Sequence, residues 1–146
     1  MEVDQDAPAI AKAEIEIAAG QQVVWDLLTD FERWPEWQPN IRSISISGEV
    51  AEGSVFRWKP GPTTITSTIR HVDPPREIAW TGKTFGISAV HVWRLEPAGA
   101  GTSVSTEESW AGIMVRALRG SMRKMLQKEL DTGLERLKAE AERQAG

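Results

Sequence analysis

The sequence contains no cysteine, which excludes disulfides, thiolate catalysis and cysteine metal sites. It contains no tyrosine, so one common general acid and oxyanion donor is missing. Only two histidines are present, His71 and His91, too few for a histidine-rich metal site, and no metal or cofactor is expected. No apolar run approaches the roughly 20 residues needed to cross a bilayer, so stable membrane insertion is not expected. No Gly-X-Ser-X-Gly elbow and no Walker-type glycine loop appears, which leaves nucleophilic hydrolysis and nucleotide binding without support. The formal charge of -4 gives no overall attraction to nucleic acid. Met1 to Pro8 carry Glu2, Asp4 and Asp6 without an apolar stretch, unlike a signal peptide. The expectation is a cytoplasmic chain with a flexible terminus over residues 1–9 and one domain over residues 10–143. Whether it is a monomer or a dimer is left open by the sequence.

What the chain does have is tryptophan: seven, against three phenylalanines. Two of them stand with two prolines in Trp34-Pro35-Glu36-Trp37-Gln38-Pro39. Proline ends helices and fixes an extended or turned backbone, so this is a rigid aromatic corner. Before it, Ala13, Ile15 and Ile17 alternate with Lys12, Glu14 and Glu16, the pattern of a half-buried strand. Val24, Leu27 and Leu28 then recur at helical spacing over Gln21 to Thr29.

After the corner, alternating segments run over Arg42–Glu49, Ser54–Lys59, Thr63–Val72, Glu77–Gly82, Ile87–Glu96 and Thr102–Trp110. Short turns such as Pro60-Gly61-Pro62 and Asp73-Pro74-Pro75-Arg76 join them. Such turns leave no room for crossover helices, so the sheet is antiparallel. From Ile113 to Arg143, Leu118, Met122, Met125, Leu126, Leu130, Leu134 and Leu137 recur at three- and four-residue steps, predicting one long amphipathic helix. The fold class is therefore α+β, in the order β-α-α-β6-α: a seven-stranded curved antiparallel sheet wrapped around a C-terminal helix.

The Trp34–Pro39 corner, the Asp73-Pro74-Pro75-Arg76 turn before Ile78-Ala79-Trp80, and His91-Val92-Trp93-Arg94-Leu95-Glu96-Pro97 with its Gly101-Thr102 restart resemble the START-like helix-grip superfamily. Within it they are most similar to the polyketide cyclase/dehydrase and lipid-transport group (SRPBCC). The resemblance spans about Ala11 to Ala141. It implies a cavity between sheet and C-terminal helix, and a small hydrophobic ligand as partner. Members include cyclases, lipid carriers and hormone receptors, so it does not choose an activity.

Strand parity places Phe56, Trp58, Ile69, Trp80 and Trp93 on the concave face, either as plain core or as the wall of an aromatic pocket. Trp37 is placed at the pocket edge and Phe85 on a neighbouring loop. Met114, Leu118 and Met122 supply an adaptable helix wall. His91 and His71, on strand faces assigned as inward, are candidates for proton shuttling. Glu108 shares its face with Val104, Thr106 and Trp110, where burial would raise its pKa and suit it to act as a general base. His91 with Glu108 would form an acid/base dyad. Arg116, Arg119, Arg123, Lys124 and Lys128 form a basic run, read as a solvated helix face or as a contact for an anionic headgroup or membrane surface. Three functions remain: a carrier of a small lipid-like, aromatic or polyketide-like ligand; a cyclase or dehydratase working by His/Glu proton transfer; and a partner-binding module with a filled cavity.

Overall fold

The computed structural model describes residues 1–146. The first strand, β1 (Ala9–Ile17), leads into helix α1 (Gln21–Thr29), a 3-10 turn (Phe31–Arg33) and the one-turn helix α2 (Trp34–Trp37). Six strands follow: β2 (Ser43–Ile46), β3 (Val55–Lys59), β4 (Ile65–Asp73), β5 (Glu77–Thr84), β6 (Ile87–Ala98) and β7 (Gly101–Ala111). Two helices close the chain, α3 (Ile113–Ala117) and α4 (Arg119–Ala145). The strands form one curved antiparallel sheet in the order β1-β7-β6-β5-β4-β3-β2. No helix is long and apolar enough to cross a membrane.

Helix α4 covers the β1–β7 side of the concave face. Its buried stripe is Leu126, Leu130, Leu134, Leu137 and Ala141, at steps of four and three residues. Leu126 and Leu130 meet Ala9 and Ala11 of β1, whose small side chains let the helix approach closely. Each fully buried leucine contributes about 1.5–3 kcal/mol of transfer free energy.

The other side of the concave face is filled by the aromatic corner. Pro35 stands in the first turn of α2, where a missing N–H costs nothing. Trp34 donates its indole N–H to the Leu28 carbonyl at 3.0 Å, which fixes the corner to the end of α1. Phe31 stacks on Phe56 at 4.5 Å between ring centroids, and Trp34 meets Trp58 edge-on at 5.9 Å. The corner is therefore an inserted aromatic plug.

Three features depart from the sequence reading. Strand β4 carries a bulge between Ile69 and His71: Ile69 pairs with Trp80, whereas His71 pairs with Ala79 and Val72 with Ile78. The extra residue reverses the parity beyond it, so Val72 turns inward and His71 outward. The long C-terminal helix is interrupted at Leu118, whose φ of -111 and ψ of 34 lie outside the helical region. The first eight residues lie along the convex face instead of hanging free. Val3 is buried there against Ala79 and Val92, the Asp4 N–H donates to Ser109 Oγ at 3.0 Å, and Arg94 donates to the Met1 carbonyl at 2.7 Å. Val90 and Val92 give β6 a second apolar face, and this segment covers it.

Candidate functional site

His91 and Glu108 stand directly opposite one another in the β6–β7 register, both on the concave face. His91 Nδ1 lies 3.3 Å from Glu108 Oε1, and the side chains are 13% and 14% exposed. The other ring nitrogen, Nε2, is 2.8 Å from Thr106 Oγ1. Thr106 gives its own hydroxyl proton to the Val92 carbonyl at 3.1 Å, so its oxygen is left to accept from His91 Nε2–H. This network assigns the Nε2–H tautomer and leaves Nδ1 bare toward Glu108. Glu108 Oε2 accepts the Trp110 indole N–H at 2.9 Å.

Burial sets the charges. It pulls the His91 imidazolium down to about 3, because a desolvated cation is costly. It pushes the Glu108 carboxyl up to about 8, against the stabilising Trp110 N–H, with the Glu129 carboxylate on α4 adding like-charge repulsion. At neutral pH the pair is therefore uncharged. Oε2 serves as acceptor for Trp110, and Oε1 is the oxygen that faces Nδ1.

The surroundings are aromatic. The His91 ring lies 5.2 Å from that of Trp80 and 5.1 Å from that of Trp93. The Trp93 indole N–H is buried with no hydrogen-bond partner, as is that of Trp37. Ile87, Ala89, His91, Glu108, Trp110 and Met122 are partly exposed, so side chains at this end of the concave face stay in reach of solvent. A separate depression of about 320 Å³ lies on the convex face among Lys12, Glu14, Arg94, Ser105 and Glu107, where its lining is polar and distant in kind from an aromatic pocket. No group of three His, Cys, Asp or Glu residues is arranged to hold a metal ion.

The family model described as "Polyketide cyclase / dehydrase and lipid transport" matches residues 8–142. The chain belongs to this family. No curated protein sequence matches it. Among solved structures, the Zhui aromatase/cyclase from Streptomyces sp. R1128 superposes with a TM-score of 0.77 at 20% identity, covering 94% of this chain and 95% of that one. A hypothetical protein from Helicobacter pylori gives 0.81 at 16% identity, over 94% and 90% of the two chains. The di-domain ARO/CYC StfQ from the steffimycin biosynthetic pathway gives 0.79 at 16% identity, over 94% of this chain and 52% of that one. At these identities the likeness is one of fold, the helix-grip arrangement of a curved sheet around a long helix.

Within this polyketide cyclase/dehydrase family member, the residues singled out from the sequence separate into three groups. Phe56, Ile69, Trp80, Trp93 and Trp37 are all buried in the concave core. Trp58 is partly buried there and donates its indole N–H to Ser67 Oγ at 3.1 Å. Met122 is partly buried against Ala9, Leu126 and Trp110.

Phe85, Met114 and Leu118 lie outside the concave face. Phe85 is 82% exposed at the tip of the β5–β6 hairpin, and Met114 and Leu118 are about half exposed around α3. His71 also leaves the site: the bulge turns it to the convex surface, 3.1 Å from Glu77 and 3.9 Å from Glu52. Thr106, Trp110 and Glu129 join the His91–Glu108 pair without having been singled out for it. Parity placed Thr106 and Trp110 beside Glu108, but the hydrogen bonds depend on rotamers. Glu129 comes from a distant helix that only the packing brings near.

Proposed function

We propose that this protein binds a small hydrophobic molecule, aromatic or polyketide-like, in the partly exposed end of the concave face, with a ligand oxygen placed beside Glu108 and Trp93. The observation that carries this reading is a nearly buried carboxyl–imidazole pair set into an aromatic wall with one edge partly exposed. Burying such a pair is costly, and it is retained where its polarity is used. The unpartnered Trp93 N–H supports a ligand that brings its own acceptor, since an unpaired buried donor costs about 1–3 kcal/mol. Titration with 1-naphthol and with hydroxyanthraquinones, followed by tryptophan emission, tests the reading. Saturable quenching that weakens in Trp93→Phe, which keeps the ring and removes the donor, is the expected result. No saturable response to either compound class would count against it.

A second reading, a cyclase or dehydratase, is favoured by the placing of Glu108 beside His91 in an aromatic wall, where burial pushes its carboxyl up to about 8. Such a carboxyl can give its proton to a departing hydroxyl. As the carboxylate it can then take the proton from the adjacent carbon, which returns it to its starting state. His91, with its depressed pKa, is a poor proton acceptor and acts by orienting Glu108. Under this reading Glu108→Gln abolishes turnover while preserving ligand quenching. Equal loss of both would sink it.

A further inference from the structure

Six large apolar side chains are exposed in the chain, and five of them gather at one end: Phe85, Ile113, Met114, Leu118 and Met125. Phe85 is 82% and Ile113 90% exposed. The hairpin tip that carries Phe85 and the start of α3 that carries Ile113 and Met114 lie against one another. Gly112, which opens α3, lies so close to the hairpin tip that a Cβ there would come within 2.2 Å of the Gly86 carbonyl oxygen. Met114 lies in α3, Leu118 at the break that follows it and Met125 in the second turn of α4. Single exposed apolar residues are ordinary, but a cluster spanning a hairpin tip and a helix start marks an interaction surface.

Its charge says what kind. The protein as a whole has a formal charge of -4, yet no acidic residue occurs between Ala111 and Lys128. In that interval Arg116, Arg119, Lys124 and Lys128 are exposed, and none is ion-paired within the chain. Arg119, in the first turn of α4, opposes the helix dipole and so gives the helix no local electrostatic support. A symmetric contact between two copies would set this basic end against itself, which like-charge repulsion disfavours.

We propose that the β5–β6 hairpin tip, α3 and the first turns of α4 form a docking surface for an anionic lipid bilayer. Phe85, Ile113 and Met114 enter the interface, while the arginines and lysines meet the headgroups. No helix is long and apolar enough to span the membrane, and the contact proposed is peripheral, as fits a short amphipathic patch. The patch borders the partly exposed end of the concave face, where Ile87 and Trp110 pack beside Val115 and Met122. Docking would therefore open that end toward the acyl region. The docking inference stands on the surface alone and holds whether or not the concave face binds a ligand.

Flotation of the full chain with phosphatidylcholine vesicles, with and without 30 mol% phosphatidylglycerol, tests it. Binding is expected only with the anionic lipid, and it should fall steeply as salt is raised. Lys124→Gln with Lys128→Gln should lower the partition about 25-fold, fivefold for each charge, the equivalent of roughly 1 kcal/mol apiece. Ile113→Ser with Met114→Ser, both at solvent-facing positions, should abolish binding while the circular dichroism spectrum stays that of the parent. No partition onto anionic vesicles at low salt would overturn the proposal and leave the face to a protein partner. So would binding indifferent to the Ile113/Met114 pair. A lipid-free dimer that those two substitutions dissociate would assign the face to a second copy and likewise overturn it.

Discussion

Glu108 Oε1 faces His91 Nδ1 across the β6–β7 ladder at 3.3 Å, with Thr106 holding the far side of the ring and Trp110 the far oxygen of the carboxyl. This sandwich makes the pair a single neutral unit whose protonation is linked to folding, with a definite sign.

The Glu108 carboxyl rises from an ordinary 4.5 to about 8. Between those values the folded chain holds a proton the unfolded chain has lost, so raising the pH through that window removes stability. The His91 imidazole falls from an ordinary 6.5 to about 3. There the unfolded chain takes up a proton the folded chain refuses, so lowering the pH removes stability. The two slopes cancel between about 4.5 and 6.5, which predicts a plateau there and a decline from 6.5 to 8. That decline amounts to about 2 kcal/mol at roughly 1.4 kcal/mol per pH unit. In Glu108→Gln the amide oxygen still accepts from Trp110 and the amide N–H donates to His91. The variant should therefore lose the decline and exceed the parent in stability at pH 8. Urea midpoints from pH 5 to 9 measure this; a variant that declines as the parent does would refute the assignment.

The two histidines should behave differently. His71 is a convex-surface residue with Glu77 and Glu52 as neighbours. His71→Ala should change stability by less than about 1 kcal/mol and leave ligand quenching untouched. His91→Ala leaves the Glu108 carboxyl without its partner and should alter both. Parallel fluorescence titrations and urea melts of the two variants decide this.

Trp34 is 3% exposed and pins the corner through the Leu28 carbonyl. Trp34→Ala should cost about 3–5 kcal/mol, enough to bring a domain of this size close to unfolding. Trp34→Phe keeps much of the packing and loses the hydrogen bond, so about 1–2 kcal/mol is expected. Equal midpoints for the two variants would show that the plug is held by the hydrogen bond alone, since both remove the donor.

Two glycine classes give opposite signs. Gly112 has a φ of 141, and a Cβ there would meet the Gly86 carbonyl oxygen at 2.2 Å. Gly112→Ala should therefore destabilise by about 2–4 kcal/mol. Gly120 and Gly133 sit within α4 with nothing within 4 Å of an added Cβ. Gly120→Ala and Gly133→Ala should each stabilise by about 0.5–1 kcal/mol, since alanine restricts the unfolded chain and favours the helix. Thermal melts of the three variants test both signs together.

From the sequence came the element order, the antiparallel meander and the inward parity of Phe56 and Trp80, whereas the two apolar faces of β6 left the side of Trp93 and His91 to the tertiary structure. Those follow from period-two alternation, turn residues and loop length, which are local properties of the chain. It permitted a His91–Glu108 pair, and the register of the β6–β7 hairpin sets the two opposite one another. Tertiary structure decided what alternation cannot carry. A single bulge in β4 reversed the parity that had put His71 inside. The break at Leu118 sent Met114 and Leu118 to the surface, where periodicity pointed to a pocket wall, and the loop residue Phe85 stands exposed at the hairpin tip. The N-terminal residues found a second apolar face on β6 to cover. The corner filled the β3–β5 side of the concave face with Phe31 and Trp34, and partial exposure remains at the end where Glu108 stands. Register and packing are long-range consequences of chain geometry. The charge states of His91 and Glu108 follow from the burial that this packing imposes.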